Sequence, residues 1–386
     1  MSGVSAETAP VVIVGAGCIG ASIAYHLGVR GVKGVVVLER ELFAGAGSTA
    51  KAAGGIRAQF SNPLNVKLSL LSIAFYERFE EALGSESEFE QVGYLFVLTD
   101  PERWSVFQAQ AAMQRDLGVP VRTLTPAEAR EIVPQMNVDD VLGATFGEKD
   151  GLADPHLVTQ GFVSAARRLG ARFEFSRPAR GFVMDGRRVT GVTTDTGTIS
   201  TPVVIDAAGP WAAEVARWAG VDLPVAPIRR HCFTTEPMAW VGERLPMVVD
   251  MKSGVYMHRE GGGILMGLAN RDEAPGFDTS VNWDLLERVV EPAMHRIPAL
   301  EAAEVSNAWA GLYETTPDHN AVLGPPEGTE GFLLANGFSG HGLMHAPAVG
   351  QMISEWIVDG RPSLDLSPLR LERFAAADVS AEANVI

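Results

Sequence analysis

The chain has 386 residues, a length that fits two domains, and an ordinary globular composition with 46% hydrophobic and 20% charged residues. Its formal net charge of −16 argues against nucleic acid and anionic membrane surfaces as partners, because both attract basic proteins. Its two cysteines are too few for a disulfide framework or a cysteine-rich metal site, so we expect a reducing, cytoplasmic compartment.

The first long apolar run, residues 11–29, has the look of a signal or membrane segment because it contains no charged side chain. Four glycines interrupt it, and the ten residues before it include Glu7 but no lysine or arginine. A signal peptide needs a basic start and a spanning helix needs a longer uninterrupted run. We therefore predict no membrane insertion.

The same run divides into a strand, a turn and a helix. Residues 11–14 are β-branched or apolar throughout, as in a buried parallel strand. Gly15, Gly17 and Gly20 follow as G-x-G-x-x-G, which allows a tight turn, the approach of a pyrophosphate and close packing of a helix. A second strand, VVVLE, ends at Glu39, which we expect to bind the ribose hydroxyls of a dinucleotide.

The next segment, LFAGAGSTAKAAGGIRAQF (42–60), is rich in glycine, alanine and small hydroxyl residues. Such a backbone lies easily along an extended cofactor, whereas a nicotinamide-binding fold would continue with another regular crossover. The segment therefore favours FAD over NAD. Arg57 stands at its far end, where a planar guanidinium suits a carboxylate.

This E-R…GSTxxxxGG arrangement resembles the amine-oxidising flavoproteins of the D-amino-acid oxidase superfamily. The similarity is to the branch of sarcosine oxidase, dimethylglycine dehydrogenase and the proline dehydrogenase β-subunit. It continues in order through a return helix (150–175), a β-meander (177–220) and the segments 311–324 and 331–357. The resemblance implies an α/β fold, bound FAD and oxidation of an amine.

The glycine-rich motifs lie far apart in the sequence, so one cofactor contacts all of them only if the nucleotide domain is discontinuous. Between them, QVGYLFVLTD and GGGILMGLAN predict strands, and PERWSVFQAQAAMQRDLG predicts a helix. After Pro368 we expect a short helix followed by disorder. We therefore predict a Rossmann-like, p-hydroxybenzoate hydroxylase-like FAD-binding domain (1–87, 148–220 and 311–386) and an α+β substrate-binding domain on a mixed antiparallel sheet (88–147 and 221–310).

The resemblance also implies which residues contact the FAD. They come from the dinucleotide turn and its acid, the GST segment, the meander and the loop NGFSGHGLMH (336–345). The expected contacts are Gly15, Gly17, Cys18, Ile19, Gly20, Glu39, Arg40, Gly47, Ser48, Thr49, Lys51, Ala53, Gly54, Gly55, Ala179, Ala208, Gly209, Trp211, Gly311, Gly337, Phe338, Ser339, Gly340, His341, Gly342, Leu343 and Met344.

Two of these positions bear on how the cofactor is held. Lys51 stands where the similar dimethylglycine dehydrogenases, which read GSTWHAAG, attach FAD through a histidine. Gly311 stands where the monomeric sarcosine oxidases attach it through a cysteine. Because neither linkage is present, the resemblance implies FAD that is bound without a covalent bond. Cys18 is expected to be a small packing residue rather than a redox group.

Three further residues are expected at the reaction site. Arg57 matches the arginine that binds the substrate carboxylate in monomeric sarcosine oxidases; the alternative is a structural ion pair. Tyr256 resembles the family's active-site tyrosine; the alternative is a half-buried core residue. His341 is expected to form hydrogen bonds beside the flavin, because His341 and His345 lack a third ligand of suitable spacing and we predict no metal site.

Two departures from the family pattern narrow the range of expected substrates. Tyr313 replaces the arginine of GLRP in glycine and D-amino-acid oxidases, and Met344 replaces the lysine of GFSGHGFK in monomeric sarcosine oxidases. The first departure favours secondary or tertiary amines over primary D-amino acids. The second removes one cation and favours a bulkier N-alkyl amino acid or proline over sarcosine, although sarcosine stays among the expected substrates. Two alternatives stay open, a D-amino-acid or glycine oxidase and a non-catalytic FAD-containing subunit or assembly factor.

The electron acceptor and the assembly are also left open. Aligning GGILMG places Leu265 where monomeric sarcosine oxidases have the lysine that activates O2. We therefore expect either O2, reacting slowly, or another electron acceptor. A second subunit is possible in this branch of the family.

Overall fold

The computed structural model describes residues 7–270, 272–375 and 380–385. Its α-helices are α1 (Cys18–Val29), α2 (Pro63–Tyr76), α3 (Phe79–Leu83), α4 (Pro101–Asp116), α5 (Pro126–Ile132), α6 (Pro155–Arg168), α7 (Ala212–Arg217), α8 (Leu286–Arg296) and α9 (Gly342–Asp359). Its strands are β1 (Glu7–Thr8), β2 (Val12–Val14), β3 (Val36–Leu38), β4 (Gly55–Ile56), β5 (Tyr94–Leu98), β6 (Val121–Leu124), β7 (Gly143–Gly147), β8 (Gly151–Leu152), β9 (Arg172–Glu174), β10 (Ala179–Asp185), β11 (Arg188–Thr194), β12 (Gly197–Ser200), β13 (Val204–Asp206), β14 (Ala226–Thr235), β15 (Met247–Asp250), β16 (Val255–Glu260), β17 (Gly263–Leu268), β18 (Val305–Thr315), β19 (Val322–Gly324) and β20 (Phe332–Asn336).

The predicted strand, turn and helix at the start of the chain are confirmed. Strand β2 leads through the glycine turn into α1, a helix of 12 residues, and then into β3. The apolar run 11–29 is thus shared between a strand and a short helix. Over residues 7–270, 272–375 and 380–385, none of the helices combines the length and the hydropathy needed to cross a bilayer.

A six-stranded sheet carries this motif, in the order β19-β20-β13-β2-β3-β9 within the described residues. Its strand pairs are parallel except for β19 with β20. Because successive side chains of a strand point to opposite faces, Ile13 packs with helices α1, α6 and α9 on one face. Val12 packs on the other face with residues of the meander β10–β12. The arrangement is the predicted Rossmann-like one.

The second large sheet of the described chain has eight strands, in the order β18-β14-β17-β16-β15-β5-β7-β6. Its pairs are antiparallel except for β15 with β5, so the predicted mixed antiparallel sheet is confirmed. The predicted strands β5 and β17 and the predicted helix α4 are present. Strand β18 runs on past residue 310, so it extends into the third predicted segment of the FAD-binding domain. The division into domains stays a prediction.

The expected disorder after Pro368 is wrong for residues 380–385. Following short 3-10 turns up to Ala375, the described terminal segment returns to the body of the protein, where Glu382 and Asn384 are 2% and 1% exposed. The Glu382 carboxylate accepts hydrogen bonds from the backbone and hydroxyl of Ser61, at 2.8 and 2.7 Å. These charge-assisted bonds hold a segment whose own sequence is neither apolar nor periodic.

Candidate active site

A deep cavity of about 470 Å3 lies where the two large sheets face each other. One wall is formed at the carboxyl ends of β2, β3 and β13, and the opposite wall by β5, β14, β16 and β18. In open α/β sheets, ligands bind outside the carboxyl ends of the parallel strands. The glycine-rich motifs at residues 15–20, 45–55, 209 and 337–342 are distant in sequence, and all of them contribute to this one cavity.

The glycine turn between β2 and α1 has the shape that a pyrophosphate site needs. Gly15 has a φ of +106°, and a Cβ there would overlap the carbonyl of Ala207. Gly17 lines the cavity at the start of α1 and, having no side chain, does not cap this helix. Apart from the N–H of Cys18, which is bonded to Thr49, the first amides of α1 are therefore available to an anion, which the helix dipole also favours.

Glu39 stands at the carboxyl end of β3 and lines the cavity. Its carboxylate accepts hydrogen bonds from the backbone N–H groups of Ala16 and Glu41, each at 2.9 Å. These two bonds orient the carboxylate beside the turn and leave further acceptor positions on both oxygens. Binding of a ribose by Glu39 stays a prediction.

The GST segment is fixed at both of its hydroxyl residues. Ser48 donates to the carbonyl of Leu312 on β18 at 2.6 Å, and Thr49 accepts from the backbone N–H of Cys18 at 3.3 Å. The segment therefore joins the start of α1 to the second sheet. Burial raises the pKa of the Cys18 thiol to about 11, so this residue stays a protonated thiol at neutral pH.

The loop before α9 closes the cavity from the other side. Gly340 and Gly342 line it, and α9 begins at Gly342 without a side-chain cap, so its positive end faces the cavity. The Glu314 carboxylate accepts from the backbone N–H of Gly337 at 3.2 Å. Burial raises the pKa of Glu314 to about 7, which leaves this carboxyl partly protonated near neutrality.

Most of the residues expected at the cofactor line this cavity. The exceptions are Gly20, Gly337 and Ser339. A Cβ on Gly20 would overlap the carbonyl of Gly15, so its role is the close packing of α1. Gly337 binds Glu314 instead, and the Ser339 hydroxyl accepts from the backbone N–H of Thr316 at 3.2 Å. These three residues therefore support the segments that line the cavity without lining it themselves.

The residues present fit an FAD. Arg40, Ala179 and Trp211 line one part of the cavity, and the Arg40 guanidinium lies 3.5 Å above the Trp211 ring, so it offers a flat surface to an adenine. The uncapped start of α1 suits the pyrophosphate, and the uncapped start of α9 suits the electron-rich edge of a reduced flavin. The cavity is continuous between these places, as an extended dinucleotide requires.

Arg57 lies in the inner part of the cavity and is only 1% exposed. Its guanidinium donates to the carbonyls of Gln59 and Asn384, at 2.6 and 2.5 Å, and stands 4.0 Å above the ring of Phe60. Within the described residues, no carboxylate lies at ion-pair distance from the Arg57 guanidinium. This part of the chain therefore does not show the alternative role, a structural ion pair. Burial lowers the pKa of Arg57, as expected for a cation without a counter-ion.

The segment that carries Arg57 is held by Asp150. The Asp150 carboxylate accepts from the backbone N–H of Ala58 at 2.8 Å and from the Gln59 amide at 2.9 Å. Burial raises the pKa of Asp150 to about 7, because these bonds and the nearby guanidinium offset only part of the cost of desolvation. Asp150 does not itself line the cavity.

Three tyrosines surround the space next to Arg57, namely Tyr94, Tyr256 and Tyr313. Burial raises the pKa of each, so all three are neutral phenols. Tyr256 is 5% exposed, so it is more deeply buried than the half-buried core residue of the alternative, and it lines the cavity. Its hydroxyl lies 3.6 Å from the Cys232 sulfur, above Gly267, where a Cβ would overlap the hydroxyl.

His341 and His345 are both buried beside Phe60. His341 Nε2 lies 3.4 Å from an Arg57 nitrogen, and burial lowers its pKa well below the usual value, so the ring is neutral. His345 Nε2 lies 3.0 Å from the Ser69 hydroxyl. In the described part of the chain, no group of three or more His, Cys, Asp or Glu side chains is arranged to hold a metal ion.

The lining residues that were not predicted from the sequence include Tyr94, Arg230, Cys232 and Glu314. Alternation along β5 and β14 gives two faces for each strand, but it does not say which face meets the cavity. Leu265, which was aligned with an oxygen-activating lysine, is 2% exposed and does not line the cavity.

Comparison with known proteins agrees with this geometry. A sequence model of the family described as FAD dependent oxidoreductase matches residues 10–356. The chain is 34% identical over 427 aligned positions to FAD-dependent oxidoreductase domain-containing protein 1 of Xenopus laevis, which covers 98% of this chain and 85% of that protein. It is 31% identical over 388 positions to the mitochondrial dimethylglycine dehydrogenase of Rattus norvegicus, covering 95% of this chain but only 45% of that protein.

Solved structures give the same result. The crystal structure of L-proline dehydrogenase from P. horikoshii superimposes with a TM-score of 0.91 at 35% identity, over 96% of this chain and 98% of that one. Glycine oxidase from Geobacillus kaustophilus superimposes with a TM-score of 0.84 at 27% identity, over 95% and 99% of the two chains. Both similarities extend over the two large sheets and the cavity between them.

Proposed function

The chain belongs to the FAD dependent oxidoreductase family, and we propose that it oxidises the C–N bond of a secondary-amine amino acid such as proline, sarcosine or another N-alkyl amino acid. The observation that carries this proposal is the buried Arg57, a cation that has no carboxylate partner in the described chain and faces a cavity bordered by neutral tyrosines. The similarity to an L-proline dehydrogenase and to dimethylglycine dehydrogenase supports it.

Arg57 would bind the substrate carboxylate. Its planar guanidinium forms paired hydrogen bonds to a carboxylate, and the carbonyls of Gln59 and Asn384 fix its plane in advance. A pre-oriented partner loses little side-chain entropy on binding. The substrate α-carbon is thereby held at one position relative to the inner wall of the cavity.

The neutral tyrosines and the buried cation would also set the protonation state of the amine. A free secondary ammonium loses its proton near pH 10, like a lysine side chain. Desolvation among Tyr94, Tyr256 and Tyr313, together with the positive charge of Arg57, disfavours the ammonium and lowers that pKa. The neutral amine, which is the form able to release hydride, is then populated without a dedicated base.

When bound, FAD would supply the acceptor for the hydride that the substrate carbon releases. The Gly15–Gly20 turn, Glu39, the hydroxyls of Ser48 and Thr49, and the loop before α9 would hold it. The substrate leaves as an imine, which reacts with water to give an amine and a carbonyl compound. When the substrate is cyclic, both of these groups stay in one molecule.

The same site bears on the alternatives. Tyr313 lines the cavity where the glycine and D-amino-acid oxidases have their arginine, which favours a secondary over a primary amine. A non-catalytic FAD-containing subunit would bind the cofactor yet respond to no amine. The possible second subunit and the cytoplasmic compartment stay predictions.

Anaerobic mixing of the FAD-loaded protein with a substrate panel tests the proposal. The panel contains proline, sarcosine, N-methylalanine and dimethylglycine, with glycine and D-alanine as primary-amine controls. We expect a secondary amine to bleach the visible flavin absorbance faster than either control. Bleaching by the primary amines alone would establish the oxidase alternative, and bleaching by no panel member would favour the non-catalytic one.

A further inference from the structure

A second arginine lines the cavity beside the proposed substrate position. We propose that Arg230 binds a second anionic group of the substrate, so that the preferred substrate is an N-alkylated acidic amino acid, which carries one carboxylate on the α-carbon and another on its side chain. This inference rests on the proposed function, since it names the class of substrate for the same site. Arg57 would bind the first carboxylate and Arg230 the second.

The position of Arg230 follows from the register of the second sheet. On β14, Arg230 pairs with Gly311 of β18, and two residues on, Cys232 pairs with Trp309. Side chains two apart share a face, so Arg230 and Cys232 both point into the cavity.

The hydrogen bonds of Arg230 leave part of its guanidinium unused. Nη1 donates to the carbonyls of Arg229 and Asn270, both at 3.1 Å. Nε is buried and has no hydrogen-bond partner among the residues that the structure describes. A buried N–H without a partner is energetically unfavourable, so such a group points to a ligand that satisfies it.

The neighbouring residue, Arg229, shows that the fold is able to pair an arginine at this place with carboxylates. Arg229 is paired with Glu273 at 2.8 Å and with Asp278 at 2.5 Å, on the side away from the cavity. Arg230 takes part in none of the ion pairs of the described chain, and its charge stands 5.3 Å from the centre of the Tyr313 ring. In a protein of net charge −16, a cavity with two unpaired arginines concentrates positive charge where an anion is to be bound.

Tyr313 connects the two arginines. It lies under Arg230, and both Arg230 and Arg57 act electrostatically on its hydroxyl. The two cations therefore flank one tyrosine in a common space. A substrate with a single carboxylate satisfies one of them, whereas a dicarboxylic substrate satisfies both.

The test compares two substrates that differ only in charge, N-methylglutamate and its neutral analogue N-methylglutamine. It uses the FAD-loaded wild type, Arg230→Gln and, as a matched control, Arg229→Gln, which removes the adjacent charge outside the cavity. We expect wild type to prefer N-methylglutamate in kcat/KM by at least about tenfold, as one charged hydrogen bond allows. Arg230→Gln should lose this preference, mainly through KM, and Arg229→Gln should keep it.

A second measurement separates this inference from the proposed function. Titration of the FAD-loaded protein with glutarate and with butyrate reports binding without oxidation. Tighter binding of glutarate that disappears in Arg230→Gln supports the Arg230 site, even when no amine bleaches the flavin and the proposed function fails. Equal loss of glutarate and butyrate binding in Arg230→Gln, or release of FAD from that variant, would show that Arg230 has a structural or cofactor role instead.

Discussion

Lys51 and Gly311 lie in direct contact across the cavity wall, so close that a Cβ on Gly311 would lie 2.5 Å from the Lys51 Cβ. In the sequence they are far apart, and each occupies a position at which a similar family attaches FAD covalently. The fold brings both positions to one place. A side chain at 311 would therefore compete for space with Lys51.

The first prediction follows from this pair. Because residue 51 is a lysine and residue 311 has no side chain, FAD should be bound tightly but without a covalent bond. Acid precipitation should leave the yellow flavin in the supernatant, and the intact mass of the denatured protein should equal that of the bare polypeptide. Flavin that stays with the pellet would contradict this and would direct attention to Lys51 first.

The second prediction concerns Arg57. Replacement by alanine should lower kcat/KM for an amino acid substrate at least about tenfold, since a hydrogen bond to a charged group is worth about 1.5–3 kcal/mol. Arg57→Lys should recover only part of the loss, because an ammonium cannot bind a carboxylate through a planar fork. FAD content and the unfolding midpoint serve as controls for folding. Unchanged kinetics in a folded Arg57→Ala variant would remove Arg57 from the site.

The third prediction concerns the terminal segment that supports Arg57. The Glu382 carboxylate accepts from Ser61 and from the side chain of Asn65 at 3.0 Å, and this anchorage places the Asn384 carbonyl on the Arg57 guanidinium. Glu382→Ala should therefore raise KM several-fold while FAD stays bound. Glu291→Ala, at an exposed glutamate of α8, is the control. Equal KM values for the two variants would show that the segment does not position Arg57.

The fourth prediction is a pH dependence from Asp150. Its pKa is 3.8 ordinarily and about 7 in the folded protein, so between these values the folded state keeps a proton that the unfolded chain has lost. The folded state binds more protons there, and the contribution of Asp150 to the free energy of unfolding therefore falls as the pH rises through this window. Asp150→Asn does not ionise and should lack this contribution.

Urea unfolding of both proteins from about pH 4 to about pH 8 measures the difference. We expect the stability of wild type, relative to Asp150→Asn, to decrease steadily over that range. A constant difference would mean that Asp150 is ionised throughout. An increasing difference would mean that hydrogen bonds from Ala58 and Gln59 lower its pKa in the folded state instead.

The fifth prediction concerns the electron acceptor. Leu265, aligned with the lysine that activates O2 in monomeric sarcosine oxidases, is buried in the hydrophobic core and offers no positive charge. After anaerobic reduction, reoxidation by O2 should be slower than by an artificial dye acceptor in stopped-flow measurements. Reoxidation in air that outpaces the dye would contradict this and would suggest that another cation, such as Lys51, assists O2.

Short-range patterns in the sequence were sufficient to predict the part of the molecule that forms the dinucleotide site. The glycine turn, the strands on either side of it and Glu39 lie within one continuous stretch, where local backbone preferences and apolar periodicity decide the structure. The GST segment and the loop before α9 were recognisable for the same reason. Each is a local run of small residues whose backbone must approach something closely.

The inner site depended on contacts that no local pattern contains. Strand register decides that Tyr94, Arg230 and Cys232 face the cavity, because a shift of one residue would turn each side chain to the opposite face. The return of Glu382 and Asn384 to Arg57 was missed because a polar terminal segment without periodicity resembles disorder, and its carboxylate finds its partners only in the folded protein. The sequence by itself thus determined the cofactor and the class of fold through local chemistry, and only the tertiary structure decided which charges remain unpaired around the substrate.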